Sequence, residues 1–399
     1  MSDLIDDELD GAVSSRRPGR GEHSARRRHP TARRAVVIPP PRYYVMWALT
    51  LVLVLFGLVM VLSASSVQAL HDRHIGTPWY YFGKQSLLAA LGFVSTFVVS
   101  RMNYHSWRRF IPLLFVLACA ATSMTFMPGI GRTVNGASSW VSIGPVQGQP
   151  SELLKLAVLV YCADLLARRA DRMHEPKATM GPVLIMTAMA CVIVVLQKDL
   201  GTAIVLASIA LAMLFVAGSP LRALFAATGG LIAMAGGVVM SESYRRARIT
   251  CFLHPSDALC YQVSQARISF STGGLTGVGL GESRGKWGYL PEAHTDFISA
   301  IVGEELGLVG FVAMISLLTA FVLVGARISM RAPDRFGMLL AGGVTGWVSV
   351  QVGINLGAAV GLLPITGLPL PFISFGPSSL VCLMLGTGLL LSVARRSRR

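Results

Sequence analysis

The sequence predicts an all-α polytopic membrane protein of about ten transmembrane helices. Both termini are expected in the cytoplasm, and one large extracytoplasmic loop should join helices 7 and 8. Three observations carry this. Hydrophobic residues make up 53% of the 399 residues and charged residues only 14%, too apolar for an ordinary soluble chain of this size. The apolar residues fall in blocks of about 20, the length a helix needs to cross hydrocarbon. The basic residues sit on alternate connections, the pattern that orients a membrane bundle.

Taken in order, the spans are Val45–Val67, Ser86–Ser100, Phe110–Met127, Leu153–Leu166, Gly181–Leu196, Gly201–Gly218, Leu224–Met240, Phe297–Val324, Phe336–Gly361 and Ser378–Val393. Tilt accommodates the shorter ones. The even-numbered connections carry Arg101, Arg108 and Arg109, then Arg168, Arg169, Arg172 and Lys177, then Arg222, then Arg327, Arg331 and Arg335. The opposite short loops carry few charges, so the termini are read as cytoplasmic. The expected organisation is a disordered basic cytoplasmic arm over 1–42, a ten-helix membrane domain over 43–394 with a long outer loop at 241–296, and a basic tail over 395–399.

The net charge of +15 is mostly that bias, with attraction to anionic lipid added. The arm holds no aromatic residue before Tyr43 on which a base could stack, so nucleic-acid binding is set aside. No apolar core follows within the first 30 residues, so the arm is not read as a cleaved signal peptide. Cys119, Cys162, Cys191 and Cys382 lie in apolar spans as small core residues. Cys251 and Cys260 lie in the long outer loop. A disulfide ranks first there, two thiols next, and a metal site with His254 is a weak signal.

The segment Tyr289-Leu290-Pro291-Glu292-Ala293-His294-Thr295-Asp296 runs from a polar loop into an apolar span. Ionisable groups at a membrane rim are costly, which makes them functional candidates, although an Asp there also caps helices. The same loop carries Arg245, Arg246 and Arg248, suited to phosphate or to anionic lipid. Its glycine-rich run from Gly273 to Gly281 permits close backbone approach to a ligand. No strand precedes it and no Gly-Lys-Ser/Thr follows, so a nucleotide loop is rejected. Glu152 and Lys155 share a helical face, where each can neutralise the other. Asp199 follows the fifth span, Glu304 and Glu305 enter the eighth, and Asn355 lies in the ninth.

Three separated stretches are similar to one family. Tyr289 to Phe297, Gln149-Pro150-Ser151-Glu152-Leu153-Leu154-Lys155, and Leu370-Pro371-Phe372-Ile373-Ser374-Phe375-Gly376 together resemble the SEDS proteins of shape, elongation, division and sporulation. The resemblance runs from about Tyr43 to Arg395, and the wording is more like the division branch than the elongation branch. It implies a multi-pass enzyme of the bacterial inner membrane, at the septum, that polymerises lipid II on the outer leaflet. It implies Asp296 as the essential aspartate, with Glu152, Lys155, Asp199 and Trp140 as matched site residues. Arg132, Arg245, Arg246, Arg248, Lys286, Glu292, His294 and Ser374 complete the candidate substrate-binding set. A class B penicillin-binding protein and other division proteins are the implied partners, and nucleic acid is not one. The chain departs from the family wording at Lys198, Ser139 and Pro377.

In such a reaction a sugar hydroxyl attacks the anomeric carbon of a lipid-pyrophosphate-linked sugar. A carboxylate takes the hydroxyl proton, and cations steady the leaving group. Asp296 is the expected base. Arg132, Lys155 and the Arg245–Arg248 cluster are the expected cations, and Asp296 binding a divalent cation (Mg2+ or Mn2+) is the competing role. A lipid II transporter, a non-catalytic division scaffold and an elongation polymerase are the alternatives. A transporter should show related halves and charges near the midplane. Neither is evident in the sequence.

Overall fold

The computed structural model describes residues 39–71, 76–134, 136–144, 146–173, 175–240, 246, 250–252 and 260–397. Met1–Ile38 and Pro39–Arg399 are separate units, and the expected arm lies outside the described residues up to 38. Its last two expected residues, Pro41 and Arg42, already belong to the first helix.

The helices are α1 Pro41–His71, α2 Tyr80–Arg101, α3 Ile111–Ser123, α4 Ser151–Arg168, α5 Pro176–Leu196, α6 Leu200–Ala217, α7 Leu221–Met240, α8 Tyr261–Gly273, α9 Ile298–Met330, α10 Arg335–Ala359 and α11 Pro377–Arg396. Nine candidate membrane spans are found among the described residues. The tenth expected span is α4, which carries Glu152, Lys155, Asp164 and Arg168 and so is less apolar. It packs against α3, α5, α6, α10 and α11. A helix ringed by protein tolerates charges that a lipid-facing helix does not. At the other extreme α7 leaves its whole apolar stretch uncovered, as a lipid-facing helix should. Arg395 and Arg396 of the expected tail continue α11.

Two features were not expected. Between α3 and α4 lies a three-stranded antiparallel sheet, β1 Gly131–Val134, β2 Ala137–Ile143 and β3 Val146–Gly148. And α9, at 33 residues, is about 50 Å long at 1.5 Å per residue, more than a bilayer core requires. It is broken at Gly307, which adopts φ 66°, ψ −166°, a conformation open only to glycine.

The glycine-rich run explains the break. Leu308 N–H donates to Gly274 O (2.9 Å) and Val309 N–H to Leu275 O (3.1 Å), while Val278 and Gly279 donate to Glu304 O and Glu305 O (3.0 Å each). Backbone groups freed by a break at membrane depth must find partners inside the protein. A Cβ on Gly273 or Gly277 would collide with the carbonyls of Gly303 or Glu305. The run binds its own chain, as a plug for a broken helix.

Candidate active site

The end of the bundle that bears the sheet gathers the candidate residues. Asp296 closes the turn that leads into α9. Glu292, at φ 56°, turns its carbonyl inward to accept the N–H groups of Thr295, Asp296 and Phe297. The Thr295 hydroxyl donates to the Glu292 carboxylate at 2.9 Å. Asn355 of α10 fixes the turn from below, its Nδ2 donating to Asp296 O (2.9 Å) and to Leu368 O (2.7 Å). One amide thus ties the Asp296 backbone to the irregular segment between α10 and α11. There Gly367, at φ 74°, lies alongside the Asp296 carboxylate, with Oδ2 3.6 Å from where a Cβ would stand. Asp296 itself is half-buried.

The segment after Val360 runs through the protein without helix, and buried polar side chains hold it. Gln351 donates to Pro369 O, Gln85 to Ser374 O, and the Ser374 hydroxyl accepts the Leu370 N–H. This is how such backbone survives at membrane depth. It also defines Ser374 as a clip within its own loop. Phe375 N–H donates to His294 O. The His294 residue is 4% exposed, and its ring clusters with those of Tyr81 and Phe375, at centroid distances of 4.9 and 5.5 Å. Burial pushes its imidazole below the ordinary range, against a smaller upward pull from Glu292. It is held neutral and packs the turn.

On the far side of the same segment stands Asp199. It caps α6 by accepting the Thr202 N–H and hydroxyl (2.9 Å each) and the Gln149 side-chain amide (2.9 Å). Gly201, two residues on, abuts the carbonyl of Thr366. Asp199 and Asp296 therefore flank the Thr366-Gly367-Leu368 turn. The sheet is stitched to this corner through Ser138 N–H to Gln197 O and Gln149 N–H to the Ser378 hydroxyl. On the sheet Arg132 is exposed and stands opposite Trp140 in register.

Glu152 and Lys155 form a buried ion pair of 2.7 Å at the start of α4, with side chains 2% and 0% exposed. The Lys155 ammonium also lies 5.6 Å from the centroid of the Trp347 ring. A lysine so enclosed does not reach a ligand in this conformation. The two charges neutralise each other, which a low-dielectric interior demands of any charge.

The residues 43–399 match the family model described as "Cell cycle protein", FtsW/RodA/SpoVE. The chain belongs to this family. It is 38% identical over 355 residues to "Stage V sporulation protein E" of Bacillus subtilis, covering 88% of this chain and 96% of that protein. It is 37% identical over 359 residues to "Probable peptidoglycan glycosyltransferase FtsW" of Geobacter metallireducens, covering 89% and 95%. Among solved structures it is similar to a chain described under "Structural coordination of polymerization and crosslinking by a peptidoglycan synthase complex". That likeness has a TM-score of 0.71 and 26% identity, covering 88% of this chain and 97% of that one. With its apolar helices, this FtsW/RodA/SpoVE member is a multi-pass membrane protein.

The remaining predicted residues of this family member fall apart from Asp296. Lys286 is buried, donates to Gly281 O and lies 3.7 Å from Glu305. Glu305 in turn accepts the Ser63 hydroxyl of α1 on both oxygens, at 2.6 and 2.7 Å. Glu304 gathers Ser283, Arg284 and Gly285. These two acids therefore shape the loop before Asp296. Arg246 is exposed, while Arg245 and Arg248 lie outside the described residues. Cys251 and Cys260 are joined in a disulfide. Sequence reasoning overlooked Ser63, Gln85 and Gln351. Their signal was there, since single polar residues in apolar spans mark points where something must be bound.

Proposed function

We propose that this chain is a peptidoglycan glycosyltransferase that polymerises lipid II on the outer face of the bacterial cytoplasmic membrane, at the division septum. Lipid II is the undecaprenyl-pyrophosphate-linked disaccharide peptide. The relatives named FtsW and the cell-cycle family support the reaction and its setting. The observation that carries the reading is Asp296: a half-buried aspartate at the rim of a membrane bundle, with its backbone fixed by Asn355. Such fixing is what proton transfer in a transition state requires.

The acceptor sugar hydroxyl loses its proton to Asp296 as its oxygen attacks the anomeric carbon of the lipid-linked sugar. The bond from that carbon to the pyrophosphate oxygen breaks, and the polyprenyl pyrophosphate leaves with the electron pair. Arg132, exposed on β1, and Arg246, also exposed, are proposed to face that charge from the surface, with Arg245 and Arg248 beside them. Asp199 and Trp140 border the acceptor's path. Glu152 and Lys155 support α4 beneath it.

Among the described residues no three His, Cys, Asp or Glu side chains converge. A divalent cation at this site would be held by Asp296, water and substrate phosphate, as Mg2+ commonly is. When bound it would supply positive charge to the leaving group.

The proposed organisation keeps a basic cytoplasmic arm over 1–42, the membrane domain over 43–394 and a short basic tail. The proposed partner is a class B penicillin-binding protein, because the structurally similar chain comes from a complex that coordinates polymerization and crosslinking. The test supplies purified protein with labelled lipid II and a partner inactivated in crosslinking. Glycan polymer is expected from the wild type and none from Asp296→Ala. Polymer from Asp296→Ala at the normal rate would defeat the reading, and lipid II translocation without polymer would establish a transporter instead.

A further inference from the structure

A cavity of about 550 Å³ lies between the end of α1 and the loop before Asp296, within the range of about 300–1,000 Å³ typical of small-molecule sites. Its walls include Val67, Gln68 and His71 on one side and Lys286, Trp287 and Glu292 on the other. Neither Gln68, His71 nor Trp287 takes part in the chemistry above. Glu292 belongs both to this cavity and to the turn that sets Asp296, so the two sites share one wall.

The charge balance decides what the cavity accepts. Its ammonium, Lys286, is matched from behind by Glu305 and donates to Gly281 O. A carboxylate, Glu292, stands on the same wall. Among the described lining residues a cation already matched, with a further acid beside it, is poorly suited to a diphosphate, which needs an excess of donors and positive charge. What remains is a set of polar side chains beside an aromatic face. The Gln68 amide offers both kinds. His71 Nδ1 lies 2.9 Å from Val67 O, which makes Nδ1 the donor there and leaves Nε2 for a ligand. The Trp287 ring is 62% exposed and meets the His71 ring edge-on at 6.3 Å. An apolar ring face bordered by hydrogen-bonding side chains matches the two faces of a sugar ring, apolar C–H on one side and hydroxyls at the edge.

We propose that this cavity is a glycan subsite that holds an uncharged N-acetylated sugar of the strand, separate from the diphosphate. The inference rests on the polymerase reading and names where that reaction's sugar chain is gripped. Trp287 is the platform, and Gln68 and His71 supply the edge contacts.

The test is titration of the purified full chain, in detergent, with a lipid-free β-1,4-linked N-acetylglucosamine oligomer, read by calorimetry. Saturable binding is expected. Loss of the ring in Trp287→Ala should weaken it by about tenfold, the size of a good aromatic contact. Trp287→Phe should restore most of the affinity, and Gln68→Leu should weaken it by a smaller factor. Trp287 is a surface ring, so these variants should fold, which unchanged unfolding midpoints would verify. Absence of saturable binding, equal binding by wild type and Trp287→Ala, or displacement of the oligomer by inorganic pyrophosphate would each overturn the assignment. Turnover is not needed for the readout. A chain that binds the oligomer but makes no polymer defeats the proposed function and leaves the subsite standing, whereas a polymerising chain that does not bind it defeats the subsite alone.

Discussion

The two ends of this helical bundle spend charge in opposite ways. At the arginine-rich end carboxylates are paired on every side. Asp164 takes Arg108 at 2.5 Å and Arg168 at 2.7 Å, and Asp334 takes Tyr104, His105 and the Gly337 N–H. At the sheet-bearing end the buried acids Glu152, Glu304 and Glu305 are likewise paired, and Asp296 is only half-buried, beside Gly367. Among the described residues two of the three non-glycine positions of positive φ, Lys198 and Glu292, are at that same end, while Phe372 lies deeper, against Gly57 in the middle of α1. Backbone strain of this kind costs on the order of 1–3 kcal/mol per residue and persists where the surroundings over-determine it, typically around active sites. The lesson is that identical residue types hold the fold at one end and, in the proposed reading, serve the chemistry at the other.

The sharpest way to break that contrast is to remove one aspartate from each end. Asp296→Ala should lower the rate of glycan polymerisation by about 10³-fold or more, since general base catalysis contributes roughly 10²–10⁴, with little change in thermal unfolding. Asp164→Ala should do the reverse. It frees two guanidinium groups and should cost about 1.5–3 kcal/mol of stability, the worth of hydrogen bonds to a charged group, with polymerisation per folded molecule preserved. Equal loss of activity in both variants would show that the division of labour is wrong.

The buried pair on α4 sharpens the contrast from within the sheet-bearing end. Glu152→Gln leaves the Lys155 ammonium uncompensated in a dry site, which should cost about 3–5 kcal/mol. The double change Glu152→Met with Lys155→Met removes both charges and should recover most of that stability in detergent unfolding. If the double variant folds well and polymerises normally, the pair only supports α4. If it folds well and is inactive, the pair belongs with Asp296 in the chemistry.

How much of this was legible in the sequence follows from the range of the interactions involved. The helices and the rim aspartate were legible because span length, charge bias and an ionisable residue at an apolar boundary are local signals. Helix α4 was legible in spite of its charges, because Glu152 and Lys155 three residues apart already read as self-neutralising. The sheet was not, because its short strands of Gly, Thr, Ser and Val lack a clear alternation. The purpose of the glycine-rich run was hidden for another reason. Its partner is the break at Gly307, and only the fold brings the two together. The full burial of Lys155 was not legible either, because a sequence records a charge without recording its surroundings.

Asn355 offers a smaller effect in the same end. Asn355→Leu removes both donations that join Asp296 O to Leu368 O and leaves the carboxylate itself untouched. A misplacement of about 1 Å can cost on the order of 10²-fold in rate, so the loss should be large but below that of Asp296→Ala. Polymerisation at an unchanged maximal rate would mean that the clamp does not set the position of the base.

The smallest effect belongs to Asp334 and tests the stabilising end by pH. Burial pushes this carboxyl up, but hydrogen bonds from Tyr104 and the Gly337 N–H, and the neighbouring His105, outweigh it and hold it below its ordinary value. A carboxyl whose folded value lies below its unfolded value stabilises the fold above the unfolded value, about 3.9 for Asp. That contribution is lost as pH falls through the folded value. The wild type should therefore lose thermal stability in acid below about pH 4, and Asp334→Asn should flatten that limb. Near neutral pH the two should differ little, because Asn caps a helix about as well as Asp, and Asn can keep the bond to the Gly337 N–H that opens α10. Parallel curves for the two proteins across the acid range would mean that Asp334 holds α10 in place by shape alone, and that the contrast between the two ends does not extend to charge at this residue.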